Sequence, residues 1–175
     1  MCEGEWKETG ELHPGDRIEW TRPKSLCREQ YEPKPGYPLG YFLGAVGSDG
    51  SIQEGRRISL VVKKRTFAEK FATMSEQAFP PLAPRIESVD VPSSFLKRDV
   101  RMFRVRIVSS AIGKMACRWL SVSERGSGSK TRSFRFPQVV TSSREMMRGF
   151  LDGYCDGDGY PVNSGGRFII SANKT

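Results

Sequence analysis

The apolar positions of the chain change period several times, and each change marks an element. Behind Pro38 runs LGYFLGAVGSDGS (Leu39–Ser51), almost entirely apolar or glycine up to Gly47. Proline at the first helical position and Gly50 past the end predict a helix of about three turns. In RRISLVVKK (Arg56–Lys64) the period becomes two. Ile58, Leu60 and Val62 take one face, while Arg57, Ser59, Val61 and Lys63 take the other, which predicts a half-buried strand with a basic side. TFAEKFATMSEQAF places Phe67, Phe71, Met74 and Ala78 at helical spacing, until Pro80, Pro81 and Pro84 end the helix. Alternation returns in RMFRVRIV, with Phe103, Val105 and Ile107 inward and Arg104 and Arg106 outward. A helix through SAIGKMACRWL and a glycine-serine loop, SERGSGSKTRS, come next. Another helix, SREMMRGFLDGYCDGDG, follows with Ser142 or Ser143 as its cap, and a short strand, RFII, comes last. The order is that of an α+β repeat whose second copy stops early.

Ahead of Pro38 the pattern is different. Residues 1–20 hold Trp6, Leu12, Ile18 and Trp20 around the turn His13-Pro14-Gly15-Asp16, a small folded piece. Residues 21–37 carry Pro23, Pro33, Pro35 and Gly36 amid charges and read as a linker. Charge sharpens the division. Residues 56–145 contain 19 Lys and Arg against 7 Asp and Glu, so this middle segment carries the whole basic excess of a chain with net charge +8. A polyanion is the natural partner of such a segment, with a merely solubilising surface as the plain alternative. Apolar residues at 37% suffice for a core and exclude a chain disordered throughout. No apolar run approaches the ~18 residues of a membrane span, and MCEGEWKETGEL lacks a signal peptide's apolar centre. Cys2, Cys27, Cys117 and Cys155 are scattered, with His13 the one histidine, so neither a zinc site nor a disulfide framework is favoured. A reducing cytoplasm fits.

Two segments resemble each other: LGYFLGAVGSDGS and RGFLDGYCDGDGY (Arg148–Tyr160). Gly40, Gly44 and Gly47 line one side of the first, and Gly149, Gly153 and Gly157 one side of the second. Glycine inside a helix costs up to ~1 kcal/mol, so six of them call for a reason, and close approach of two helix backbones supplies one. Such packing would bring Asp49 and Asp158, at the two C-terminal ends, side by side. Two adjacent carboxylates repel unless a divalent cation joins them, and oxygen ligands suit Mg²⁺.

These paired segments resemble the two motifs of LAGLIDADG homing endonucleases, in the single-chain, double-motif form carried inside inteins. The motif spacing fits a repeat, since Asp49 and Asp158 are 109 positions apart (158 − 49). The resemblance implies two pseudo-symmetric αββαββα repeats over residues 38–141 and 142–175, the second truncated, with Gly40, Gly44, Gly149 and Gly153 at the helix interface. It implies that Asp49 and Asp158 are catalytic and bind Mg²⁺, that the partner is double-stranded DNA, and that the protein is a monomer made pseudo-dimeric by its repeats. The earlier acid of the motif is present as Asp156 but replaced by Gly47 in the first copy. GEWKETGELHPGDRIEW is similar to the end of an intein's N-terminal splicing segment, which implies a parent intein and extein chain. The basic strand faces, Arg57, Lys63, Lys64, Arg104 and Arg106, would then contact DNA.

FRFPQVVTSSREMMRGFLDG resembles the element joining the repeats of intein endonucleases. A lysine normally stands three residues before its proline. Here Phe134 holds that position, Arg135 is the adjacent candidate for the catalytic role, and Lys130 and Arg132 lie upstream as further DNA contacts. Arginine does not readily give up a proton. The resemblance therefore implies site-specific hydrolysis of both DNA strands, with a cleavage-deficient, maturase-like DNA- or RNA-binding module as the alternative. With the second repeat cut short, the chain alone is expected to make no specific double-strand cut. Other motifs fail on spacing. GSGSKT lacks the Gly-Lys pair of a phosphate-binding loop. A calcium loop starting at Asp156 would have Pro161 in place of its glycine and Arg167 in place of its closing glutamate. His13 has no triad partners, and Cys2 precedes no splicing start.

Overall fold

The computed structural model describes His13 and residues 33–122, 135–161 and 167–169. Helix α1 (Tyr37–Ser48) leads into an antiparallel hairpin of β1 (Gly50–Gln53) and β2 (Arg57–Val62), followed by helix α2 (Arg65–Ala78). A longer hairpin, β3 (Arg85–Ser93) and β4 (Arg98–Val108), precedes helix α3 (Ser110–Leu120). The first repeat is thus αββαββα, and its four strands form one antiparallel sheet in the order β1-β2-β4-β3. After a 3-10 turn (Gln138–Ser142) comes helix α4 (Arg144–Asp158), then the small hairpin of β5 (Gly159–Pro161) and β6 (Arg167–Ile169). The readings for residues 1–20 and for most of the linker lie outside the described residues.

Strand β1 and strand β3 correct the sequence reading, which has one strand on each side of α2. Ile52 is the sole apolar side chain of β1 and gives no periodic signal. The strand exists because Glu54 (φ 51) and Gly55 (φ 58) turn left-handed and the Arg56 N–H donates to the Gln53 carbonyl at 3.1 Å. Two such residues match the twist of a hairpin and return the chain onto β2. β3 is an edge strand, which is why it tolerates Pro92.

α1 is buried from Leu39 to Gly47, as an all-apolar helix must be, between the sheet and α2 on one side and α4 on the other. Ile58, Leu60, Val62, Val105 and Ile107 of the sheet face it, with Phe67, Phe71 and Ala78 of α2 and Ile112, Ala116 and Leu120 of α3. Phe42 stacks on Phe71 at 5.7 Å and meets the edge of Phe79 at 4.9 Å. Serine caps fix two helix starts. Ser109 Oγ accepts from the Ile112 N–H at 3.3 Å, and Ser143 Oγ, the second of the two candidate caps, accepts from the Met146 N–H at 3.1 Å.

Candidate active site and nucleic-acid interface

Helices α1 and α4 run side by side in the same direction, with glycines where their backbones touch. A Cβ on Gly40 would fall on the Met146 carbonyl oxygen, and one on Gly44 on that of Phe150. Reciprocally, a Cβ on Gly149 would fall on the Tyr37 carbonyl oxygen and one on Gly153 on that of Tyr41. Each contact has its mate 109 positions away in both partners, so the helices are related by a local twofold. That symmetry sets Asp49, the C-cap of α1, and Asp158, the last residue of α4, at twin positions on one end of the pair.

The two ends are in contact. A Cβ on Gly157 would lie 2.8 Å from Asp49 Oδ2 and would also strike Ser48 Oγ. Asp49 and Asp158 are both exposed residues. Among the described residues no group of three or more His, Cys, Asp or Glu converges. The donors present are one or two hard carboxylates with room for water and phosphate oxygens, the set by which Mg²⁺ is commonly held. The residues fit that ion. A calcium loop does not fit, because Asp156 to Asp158 are the last turn of α4.

Asp156 has another role. Its Oδ2 accepts from the Tyr41 hydroxyl at 2.7 Å and from Lys70 Nζ at 2.8 Å, and Nζ sits 4.4 Å from the centre of the Tyr41 ring. One helical turn back, the Tyr37 hydroxyl donates to Asp152 Oδ2 at 2.9 Å. Burial, reinforced by the hydrogen bond to Asp152, pushes the Tyr37 hydroxyl up from 10.0 to about 12. Burial and the bond to Asp156 raise Tyr41 further. Sequence reasoning named Asp156 only as the earlier acid of the motif and missed its partners Tyr41 and Lys70 and the Tyr37–Asp152 pair. Their one signal is matched spacing: two tyrosines four apart in the first motif and two aspartates four apart in the second.

Asp156→Ala leaves the buried Tyr41 hydroxyl without that acceptor and should cost about 1–3 kcal/mol. Adding Tyr41→Phe should recover part of the loss, and a denaturant double-mutant cycle reads both numbers. pH gives a second handle. Both hydroxyls stay protonated above their unfolded value of 10.0, so their contribution is full below pH 10 and declines as pH rises through the folded values, about 12 for Tyr37. The alkaline loss of stability should be shallower in Tyr37→Phe.

The outer side of the sheet, away from the helices, carries the basic residues. Arg57 is exposed there beside Ser59 and Val61. Arg104 and Arg106 are half-buried, and both reach Glu87 Oε1, at 3.4 and 3.1 Å. That carboxylate cancels one charge and fixes the direction of both guanidinium forks. Arg85 lies opposite Arg106 on the same side. Lys63 and Lys64 are corrected in place: β2 ends at Val62, and both lysines are exposed in the connection to α2, with Lys64 as its N-cap. Arg135 is exposed, and its N–H donates to the Leu120 carbonyl at 3.2 Å, which ties its backbone to the end of α3. Phe136 meets the edge of Phe150 at 5.1 Å. Lys130, Arg132 and Phe134 lie outside the described residues.

The chain is similar to the homing endonuclease I-WcaI, solved bound to its DNA recognition sequence, with a TM-score of 0.54 and 11% sequence identity over 87% of this chain and 62% of that one. The fold is homing-endonuclease-like. The chain spans 62% of the length of that homing endonuclease. No protein-family model matches the chain, and no curated protein matches it. Among the described residues of this homing-endonuclease-like fold, no helix is long and apolar enough to cross a membrane. Neither Cys117 nor Cys155 is in a disulfide.

Proposed function

We propose that this chain is part of an intein-embedded, double-motif LAGLIDADG endonuclease that hydrolyses both strands of a long, specific DNA site. The observation that carries the reading is the pair of glycine-packed parallel helices ending on Asp49 and Asp158 at twin positions. In this reading the outer sheet face lies against duplex DNA. Arg57, with Lys63 and Lys64 at the strand end, neutralises phosphates, while Arg104 and Arg106, aimed by Glu87, address base edges. Asp49 and Asp158 would be the residues that hold Mg²⁺. The chemistry such an ion would supply there is activation of a water at neutral pH and stabilisation of the leaving oxygen. Asp156 keeps the helix ends in place by binding Tyr41 and Lys70. The link to an intein rests on the likeness of residues 1–20 and of the joining element around Phe134 to Pro137. A single chain with both motifs needs no second copy to form the pseudo-dimer.

A cleavage-deficient module on the same scaffold is the second reading, favoured by Phe134 where the family has lysine. Cleavage of a cognate duplex by the protein with both repeats whole separates the two readings. Both predict DNA binding by this chain. Its affinity for a duplex should fall steeply with salt, with a log–log slope near −0.9 per phosphate neutralised. An affinity that ignores salt, or none at low salt, would sink both.

A further inference from the structure

Three helices meet at one carboxylate. Asp156, in the last turn of α4, accepts from Tyr41 of α1 at 2.7 Å and from Lys70 of α2 at 2.8 Å, both on Oδ2. Both members of the ion pair are half-buried, and the Lys70 ammonium also lies over the Tyr41 ring. This arrangement breaks the local twofold. The twin of Asp156, 109 positions back, is Gly47, and that of Tyr41, 109 positions on, is Phe150, which has no hydroxyl. The end of α1 is held another way. Past Asp49 the chain enters β1 at once, where Gly50 pairs with Leu60 in the four-stranded sheet. Past Asp158 it enters the three-residue strand β5, which pairs with β6 in a sheet of two strands. The last turn of α4 carries Asp156 and Asp158 and no basic residue. Acids at a helix C-terminus face the negative pole of its dipole, and Gly153 and Gly157 lower the helix propensity of the last two turns further. Such a turn frays unless a cation from elsewhere offsets it. Lys70 is that cation.

We propose that Lys70 is a positioning residue: held against Asp156, it fixes the last turn of α4 and so the place of Asp158 opposite Asp49. The proposal rests on the reading of Asp158 as a residue that would hold Mg²⁺. Lys70 acts through Asp156 and not on the ion, because an ammonium has no lone pair to offer a metal. Its effect therefore falls on one end of the helix pair alone. Partners that orient a metal ligand typically change metal affinity by about 10–100-fold when they are removed. Charge by itself has the opposite sign, since taking away a nearby cation favours the binding of another. Weaker binding at Asp158, with Asp49 unmoved, thus reports position rather than charge.

The test uses the 175-residue chain. Carboxyl-carbon NMR follows Asp49 and Asp158 separately through a Mg²⁺ titration. In Lys70→Met the dissociation constant at Asp158 should rise about tenfold or more, with that at Asp49 unchanged. Lys70→Arg keeps a cation on a long stem and should restore the Asp158 value. Lys70→Gln guards against a fold lost to methionine, since its polar end suits a half-buried site, and it should match Lys70→Met. An Asp158 constant that stays put or falls in these variants overturns the proposal and leaves the Mg²⁺ reading intact. Equal weakening at both acids overturns it too, because general loosening of the protein would do the same. No response of either acid in the unaltered chain overturns the Mg²⁺ reading, and the role of Lys70 with it.

Discussion

Gly44→Ala and Gly153→Ala will each destabilise the protein, although alanine is the better helix former by up to ~1 kcal/mol. The sign reverses because the added carbon has nowhere to go. At Gly44 it lands on the Phe150 carbonyl oxygen and at Gly153 on that of Tyr41, and both are helix backbone that cannot rotate aside. Forcing the helices apart also loosens the core on the other side of α1, where Phe42 is wedged between Phe71 and Phe79. Overpacking of this kind costs about 1–3 kcal/mol, at the upper end when the neighbour is backbone. Thr73→Ala, on the exposed side of α2, is the control and should leave stability unchanged or slightly raised. Denaturant midpoints read all three. A Gly153→Ala midpoint at or above that of the unaltered protein would show that the helices can separate without loss.

In the protein with both repeats whole, Asp49→Asn and Asp158→Asn will each lower cutting of one DNA strand by about a hundredfold or more, the scale of removing a charge-stabilising group from a reaction centre. The twofold relation of the two acids is the reason, since under the proposed function each would serve one strand of a duplex whose strands are themselves related by a twofold. The single variants should therefore leave nicked product and the double variant none. Neither residue lies in the core, so folding and duplex binding should survive. Strand-resolved gels of an end-labelled duplex report the pattern. Double-strand cutting at the original rate by either variant would remove that aspartate from the mechanism.

The parts legible in the sequence were those with internal repetition. Gly40 with Gly149 and Gly44 with Gly153 recur at one spacing, and that spacing is the symmetry of the helix pair. β2 and β4 were legible because one of their faces is buried and the other wet, which writes period two into Ile58, Leu60 and Val62 and into Val105 and Ile107. β3 escaped because its alternation changes sides: Ile86 belongs to the helix-facing side, Val89 and Val91 to the outer side, and Pro92 mimics a breaker. The Tyr37–Asp152 and Tyr41–Asp156 bonds join residues 115 positions apart, and the matched four-residue spacing of the two tyrosines and of the two aspartates does not by itself pair them. The same holds for Glu87, whose tie to Arg104 and Arg106 exists only once β3 lies beside β4.

The central claim, that Asp49 and Asp158 face DNA and share it with a divalent cation, can be tested by binding alone. Duplex affinity is measured for the unaltered chain and for Asp49→Asn/Asp158→Asn, each in EDTA and again with Mg²⁺ at matched ionic strength. In EDTA two carboxylates at the DNA surface repel phosphate, so the double variant should bind more tightly. Mg²⁺ should close that gap by strengthening the unaltered protein selectively. Equal affinities in EDTA and the same response to Mg²⁺ in both proteins would contradict the account.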